Sequence, residues 1–78
     1  MSIVTDEKAD QLGRIIQHFM NNGLENFARR IIKSYGYDPI EAVRKFSEIE
    51  TAIHKGRKQD VEGILTYLEN RQKNPNSW

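Results

Sequence analysis

At 78 residues, 37% of them hydrophobic, the chain is one domain of a size whose core stabilises a fold with little to spare. It contains no cysteine, which excludes disulfides and cysteine-ligated zinc as reinforcement. The formal net charge of +1 gives no overall bias toward nucleic acid or anionic lipid, so any electrostatic function has to come from local clustering.

The opening residues, Met1 to Glu7, place no basic flank before an apolar run, so no signal peptide is expected. No stretch approaches the roughly 20 apolar residues of a membrane span. Together with the missing cysteine this fits a cytoplasmic protein.

Thr5 is placed to cap a first helix, over about residues 6–22, with Asp6 and Glu7 where negative charge favours the helix N-terminus. Ala9, Leu12, Ile15, Ile16, Phe19 and Met20 then recur at helical spacing and predict an inward face. Asn21-Asn22-Gly23 is a stop signal. Leu24, Phe27, Ala28, Ile31, Ile32 and Tyr35 repeat the pattern in a second helix, over about 24–35.

The segment Tyr35-Gly36-Tyr37-Asp38-Pro39-Ile40-Glu41 reads as a helix-to-helix junction. Gly36 is expected to close the second helix in the left-handed conformation. Asp38 is expected to cap the third, with Pro39 at its first position and Glu41 completing a capping box. The third helix, over about 39–55, turns Val43, Phe46, Ile49 and Ile53 inward and ends near His54-Lys55-Gly56. The fourth, over about 58–73, has a narrower stripe of Val61, Ile64, Leu65 and Leu68. Gly63 on its outer face costs about 1 kcal/mol relative to alanine, so this helix is expected to be the least stable. Residues 74–78, ending in Trp78, read as a loose tail.

Connections this short set consecutive helices antiparallel. The expected fold is therefore all-α, a single domain over residues 1–78 made of four short antiparallel helices in two bundle-like hairpins. A shift of 33 residues lays Gly23 on Gly56, Ala28 on Val61, Ile31 on Ile64 and Ile16 on Ile49. That period resembles helix-hairpin repeats, which offer partners a groove. Two amphipathic hairpins of equal length would also align this way. Because the core is small, a homodimer that buries one more apolar strip is a reasonable expectation.

Chemistry is sparse. Glu50 and His54 stand four apart on the third helix, which reads as an ion pair at the core margin rather than half of a metal site. His18 is expected to be solvated. No nucleophile stands in a glycine-flanked turn, and the glycines form no phosphate-cradling loop. Neither catalysis nor a cofactor is expected.

Two groups of residues remain as candidate contacts. The aromatics Tyr37, Tyr67 and Trp78 suit a protein partner, because large aromatics are enriched at binding hot spots. Arg29, Arg30 and Lys33 cluster opposite the apolar stripe of the second helix, and Lys55, Arg57 and Lys58 form a second basic group at the turn between the third and fourth. These cations could meet an acidic protein surface, or phosphates. A helix-turn-helix across the second and third helices is weakened by Asp38 and Glu41 at the start of the would-be recognition helix. The reading is a non-catalytic module binding another protein, a small regulator or inhibitor of a larger cytoplasmic protein. The alternative is a nucleic-acid-binding regulator using the two basic groups.

Overall fold

The computed structural model describes residues 5–73. The expected tail at 74–78, and with it Trp78, lies outside these residues. Helix α1 spans Asp6–Asn21, and its first turn is closed by Thr5, whose Oγ1 accepts the Lys8 N–H at 3.2 Å. Helix α2 spans Glu25–Tyr37, α3 Pro39–His54 and α4 Lys58–Lys73. The four helices form two antiparallel hairpins, α1–α2 and α3–α4.

The α2–α3 junction is built differently from the sequence expectation. Gly36 lies inside α2, and the only glycines with positive φ among the described residues are Gly23 (71°) and Gly56 (67°). The Asp38 N–H donates to the Ser34 carbonyl at 2.9 Å, so the helical ladder runs past Gly36 up to the proline. Pro39 has no N–H to continue it and biases the preceding residue toward extended backbone, and Asp38 takes φ −143°. Asp38 Oδ1 accepts the Glu41 N–H at 3.2 Å, as expected of a cap. The capping box is not completed, because the Asp38 N–H is already spent on Ser34. The buried Glu41 carboxylate instead accepts the Tyr67 hydroxyl at 3.3 Å and pairs with Arg44 at 3.7 Å.

The turns within the two hairpins repeat each other at the 33-residue shift. Leu24 N–H donates to Phe19 O at 2.8 Å, and Arg57 N–H donates to Ala52 O at 2.9 Å. Gly23 to Met20 (3.4 Å) is matched by Gly56 to Ile53 (3.0 Å), and Asn22 to His18 (3.2 Å) by Lys55 to Thr51 (3.1 Å). Each turn is a helix stop closed by a left-handed glycine and a six-residue hydrogen bond. The faint repeat of the sequence is therefore a repeat of backbone geometry at the turns.

Helix α3 packs on α1, α2 and α4, and α2 also packs on α4, whereas α1 makes no close approach to α4. The bundle is thus open: hairpin two lies against one side of hairpin one and does not wrap round it. The core is Ile15, Phe19, Ala28, Ile31, Ala42, Phe46, Ile49, Ala52, Val61, Leu65 and Leu68. Phe19 meets Phe27 edge to face at 5.5 Å, and Tyr35 stacks on Phe46 at 6.3 Å between centroids.

Three residues expected inside are not. Ala9 is exposed, and Met20 and Ile32 are each 50% exposed. They fall on the flank of hairpin one that has no neighbouring hairpin. Gln11 is buried in their place, because its Nε2 donates to Glu50 Oε1 at 2.7 Å and so satisfies a polar group at the α1–α3 contact.

Candidate protein-binding groove

Helices α3 and α4 lie side by side, and on their face away from hairpin one they line a shallow, open groove of about 640 Å³. Lys45 and Thr51 line it from α3, Lys55 and Arg57 from the turn, and Asp60, Ile64 and Tyr67 from α4, with Gly63 leaving open space in its wall. At one end the Tyr67 ring, 41% exposed, carries the Lys45 ammonium 4.8 Å from its centroid. Lys45 also pairs with Glu48 at 3.1 Å. At the other end Arg57 stands 3.9 Å from Asp60, a loose exposed pair.

Moved back by one 33-residue repeat, the named lining positions become Leu12, His18, Asn22, Leu24, Phe27, Arg30, Ile31 and Ser34. Asn22 is exposed at the turn, Arg30 reaches across to α4, and Leu24, Phe27 and Ile31 pack into the core. The groove is thus the place where a further helix would sit, with its apolar floor reduced to Ile64, Tyr67 and Ala52 and its walls made charged. A smaller cavity of about 250 Å³ opens between the two turns, floored by Phe19, Leu24, Phe27, Ile53 and Val61 and rimmed by His18, Arg57 and Lys58.

Arg30 corrects the expected basic cluster on α2. Its side chain does not stand free opposite the apolar stripe but reaches across to α4. There Nε and Nη2 donate to the two Glu69 carboxylate oxygens at 2.8 and 2.7 Å, and Nη2 also donates to Glu62. Thr66 donates to the same Glu62 oxygen at 3.0 Å, and the guanidinium lies 5.8 Å from the Phe27 ring centroid. The bidentate bond to Glu69, then the bond to Glu62, raise the Arg30 pKa, and they hold both carboxyls below the ordinary value. Glu62, Thr66 and Glu69 lie on one face of α4 at helical spacing, an acidic edge that needs a cation. That was the available sequence signal for this clamp.

The other candidates are scattered. Arg29 is exposed and pairs along its own helix with Glu25 at 3.3 Å, and Lys33 is exposed. Lys55 and Arg57 line the groove, and Lys58 the smaller cavity. Tyr37 is 51% exposed at the α2–α3 junction, outside both linings, near Ile40 at 55%, which sequence reasoning passed over. Tyr67 is less free than an outer-flank position suggested, since its hydroxyl is tied to Glu41.

The histidines also depart from expectation. Glu50 accepts from Gln11 and lies 3.5 Å from Arg14, so its carboxylate is spent on α1, and His54 is left exposed without it. His18 is half-buried and meets the Phe19 ring edge-on at 6.3 Å. Among the described residues no group of three His, Asp or Glu is placed to hold a metal, and no helix is long and apolar enough to cross a membrane. Comparison of the chain with family models, with curated proteins and with solved structures gives no match.

Proposed function

We propose that the chain is a non-catalytic protein-binding module that takes a helical segment of a larger cytoplasmic protein into the α3–α4 groove. In this role it acts as a small regulator or inhibitor, by occluding that segment or holding it in one state. The observation that carries the reading is the position of the groove, one repeat beyond the surface on which hairpin one takes hairpin two. Tyr67 and Ile64 supply an apolar anchor point, and Lys55 and Arg57 favour a partner helix with acidic residues along one edge.

The test is a tagged pull-down from cytosol of the source cells, with and without nuclease, repeated with Tyr67→Ala and Lys55→Glu. A discrete protein retained through nuclease and lost with Tyr67→Ala supports the groove. Capture that survives both substitutions removes the groove from consideration.

The exposed run Lys55, Arg57 and Lys58 favours nucleic-acid binding as a second reading, with Arg29 and Lys33 as further contacts. Arg30 weakens it, since two glutamates already neutralise that cation. This reading requires an affinity that falls steeply with salt and retention that vanishes with nuclease.

A further inference from the structure

The smaller cavity, between the two hairpin turns, owes its existence to the open bundle. Helices α1 and α4 do not meet, so the last turn of α1, with His18 and Phe19, faces the first turn of α4, with Lys58 and Val61, across about 250 Å³. Neither hairpin turn plugs this space. Gly56 has no side chain, and Asn22 is folded back on its own helix, its Nδ2 donating to the His18 carbonyl at 2.8 Å. The floor is apolar, and Leu24, Phe27 and Ile53, which form part of it, are each only half-buried.

The rim carries one sign of charge. His18, Arg57 and Lys58 line the cavity and no acidic residue does, whereas Glu48 and Asp60 balance the cations of the α3–α4 groove. Arg57 is held only loosely, 3.9 Å from Asp60, which lines the groove and not the cavity. Lys58 has no carboxylate within 4 Å among the described residues. An apolar floor with cations at the mouth is complementary to an amphipathic anion entering tail first. We infer that the cavity binds a small monocarboxylic acid, with its apolar body against Phe27, Ile53 and Val61 and its carboxylate between Arg57 and Lys58.

Volume sets the size of the ligand. An apolar protein cavity of ~150 Å³ takes benzene, so about 250 Å³ takes ~10 non-hydrogen atoms at the same packing, an aliphatic acid of roughly eight carbons. A membrane lipid would leave most of its chains in water. A ligand this small sets the expectation of a dissociation constant of ~0.1–1 mM. Each methylene added to the chain tightens binding by up to ~4-fold until the cavity is full, and further ones gain little. The head group stays at a solvated rim, so its charge contributes a smaller factor than the chain.

The experiment is titration of the full, isotopically labelled chain with butyrate, hexanoate, octanoate and decanoate at constant ionic strength, followed by backbone amide NMR shifts, with octanol as the neutral control. The expected result is saturable shifts centred on Leu24, Phe27, Ile53 and Lys58. Affinity rises from butyrate to octanoate and levels off at decanoate, and octanol binds more weakly than octanoate. Lys58 is exposed, so Lys58→Glu keeps the fold, checked by circular dichroism; it weakens octanoate at least ~3-fold and leaves octanol unchanged. No saturable shift at ~10 mM octanoate overturns the inference. So does affinity that keeps climbing with chain length while shifts spread to Met20 and Ile32, which is adsorption to the exposed flank of hairpin one. Octanol binding as tightly as octanoate, or octanoate binding that ignores Lys58→Glu, overturns the carboxylate assignment. Lys58 does not line the α3–α4 groove, and Tyr67 and Lys55 do not line the cavity, so failure of either reading leaves the other standing.

Discussion

Arg30 shows how one side chain changes meaning between chain and fold. It follows Arg29 and precedes Lys33, and by sequence it belongs with them; in space it belongs to α4. Arg29→Ala removes only an exposed pair within one helix and should change stability by no more than about 0.5 kcal/mol. Arg30→Ala leaves Glu62 and Glu69 facing each other without their cation and should cost about 1–2 kcal/mol, read from urea unfolding. The clamp also gives stability a pH dependence. Both carboxyls lie below their ordinary value of 4.5 when folded, so their contribution is complete above that pH and is lost as pH falls below it. In Arg30→Ala the acid loss should be shallower across the same window, and an equally steep profile in the variant would assign the acid sensitivity to other carboxylates.

At the scale of the helices and turns, the glycines separate into two kinds. Gly23 and Gly56 hold positive φ and close the two equivalent turns, so Gly23→Ala or Gly56→Ala should each destabilise by about 1 kcal/mol. Gly36 and Gly63 sit within helices, with nothing near an added Cβ. Gly36→Ala and Gly63→Ala should therefore stabilise by up to about 1 kcal/mol, a rise of several degrees in melting temperature. If Gly36→Ala lowered the melting temperature, the left-handed junction expected from the sequence would be the better description. Helix α4, expected to be the weakest, is tied to α2 by Arg30 and by the Gln72–Ser34 hydrogen bond at 3.2 Å. It is tied to α3 and its cap by Tyr67–Glu41 and by Arg71–Asp38 at 3.4 Å. These polar ties run along the helix whose apolar stripe is narrowest.

For the whole molecule, the open arrangement sets both stability and available surface. Phe46 joins Tyr35 of hairpin one to the interior of hairpin two, and Phe46→Ala should cost about 3–5 kcal/mol, most of what a domain this small can hold. Each hairpin buries its apolar face mainly against the other. A peptide covering residues 1–37 should therefore show little helix by circular dichroism and recover it on mixing with one covering 38–78. Strong helicity in either peptide alone would mean that the hairpins are independent units. Because α1 and α4 do not meet, one side of each hairpin stays in solvent, one apolar and one charged.

The chain alone fixes the class, the number of helices and nearly all their limits, because these depend on local signals. The Thr5 and Asp38 caps, Pro39, the glycines at 23 and 56 and the helical spacing, within each helix, of Ile15 and Phe19, Ala28 and Ile31, Phe46 and Ile49, and Val61, Leu65 and Leu68 act within a turn or two of themselves. Such a pattern also says which face of a helix is apolar, but not how many neighbours that helix will have. Only the packing decided that Ile32 and Met20 face solvent while Gln11 does not, and that Arg30 is a clamp while Arg29 is a surface cation. The groove was equally out of reach of the sequence, since its walls come from two helices whose relative placement depends on packing between them and on contacts such as Tyr67–Glu41, 26 positions apart. Periodicity reports burial along one axis, whereas a site requires the positions of several axes at once.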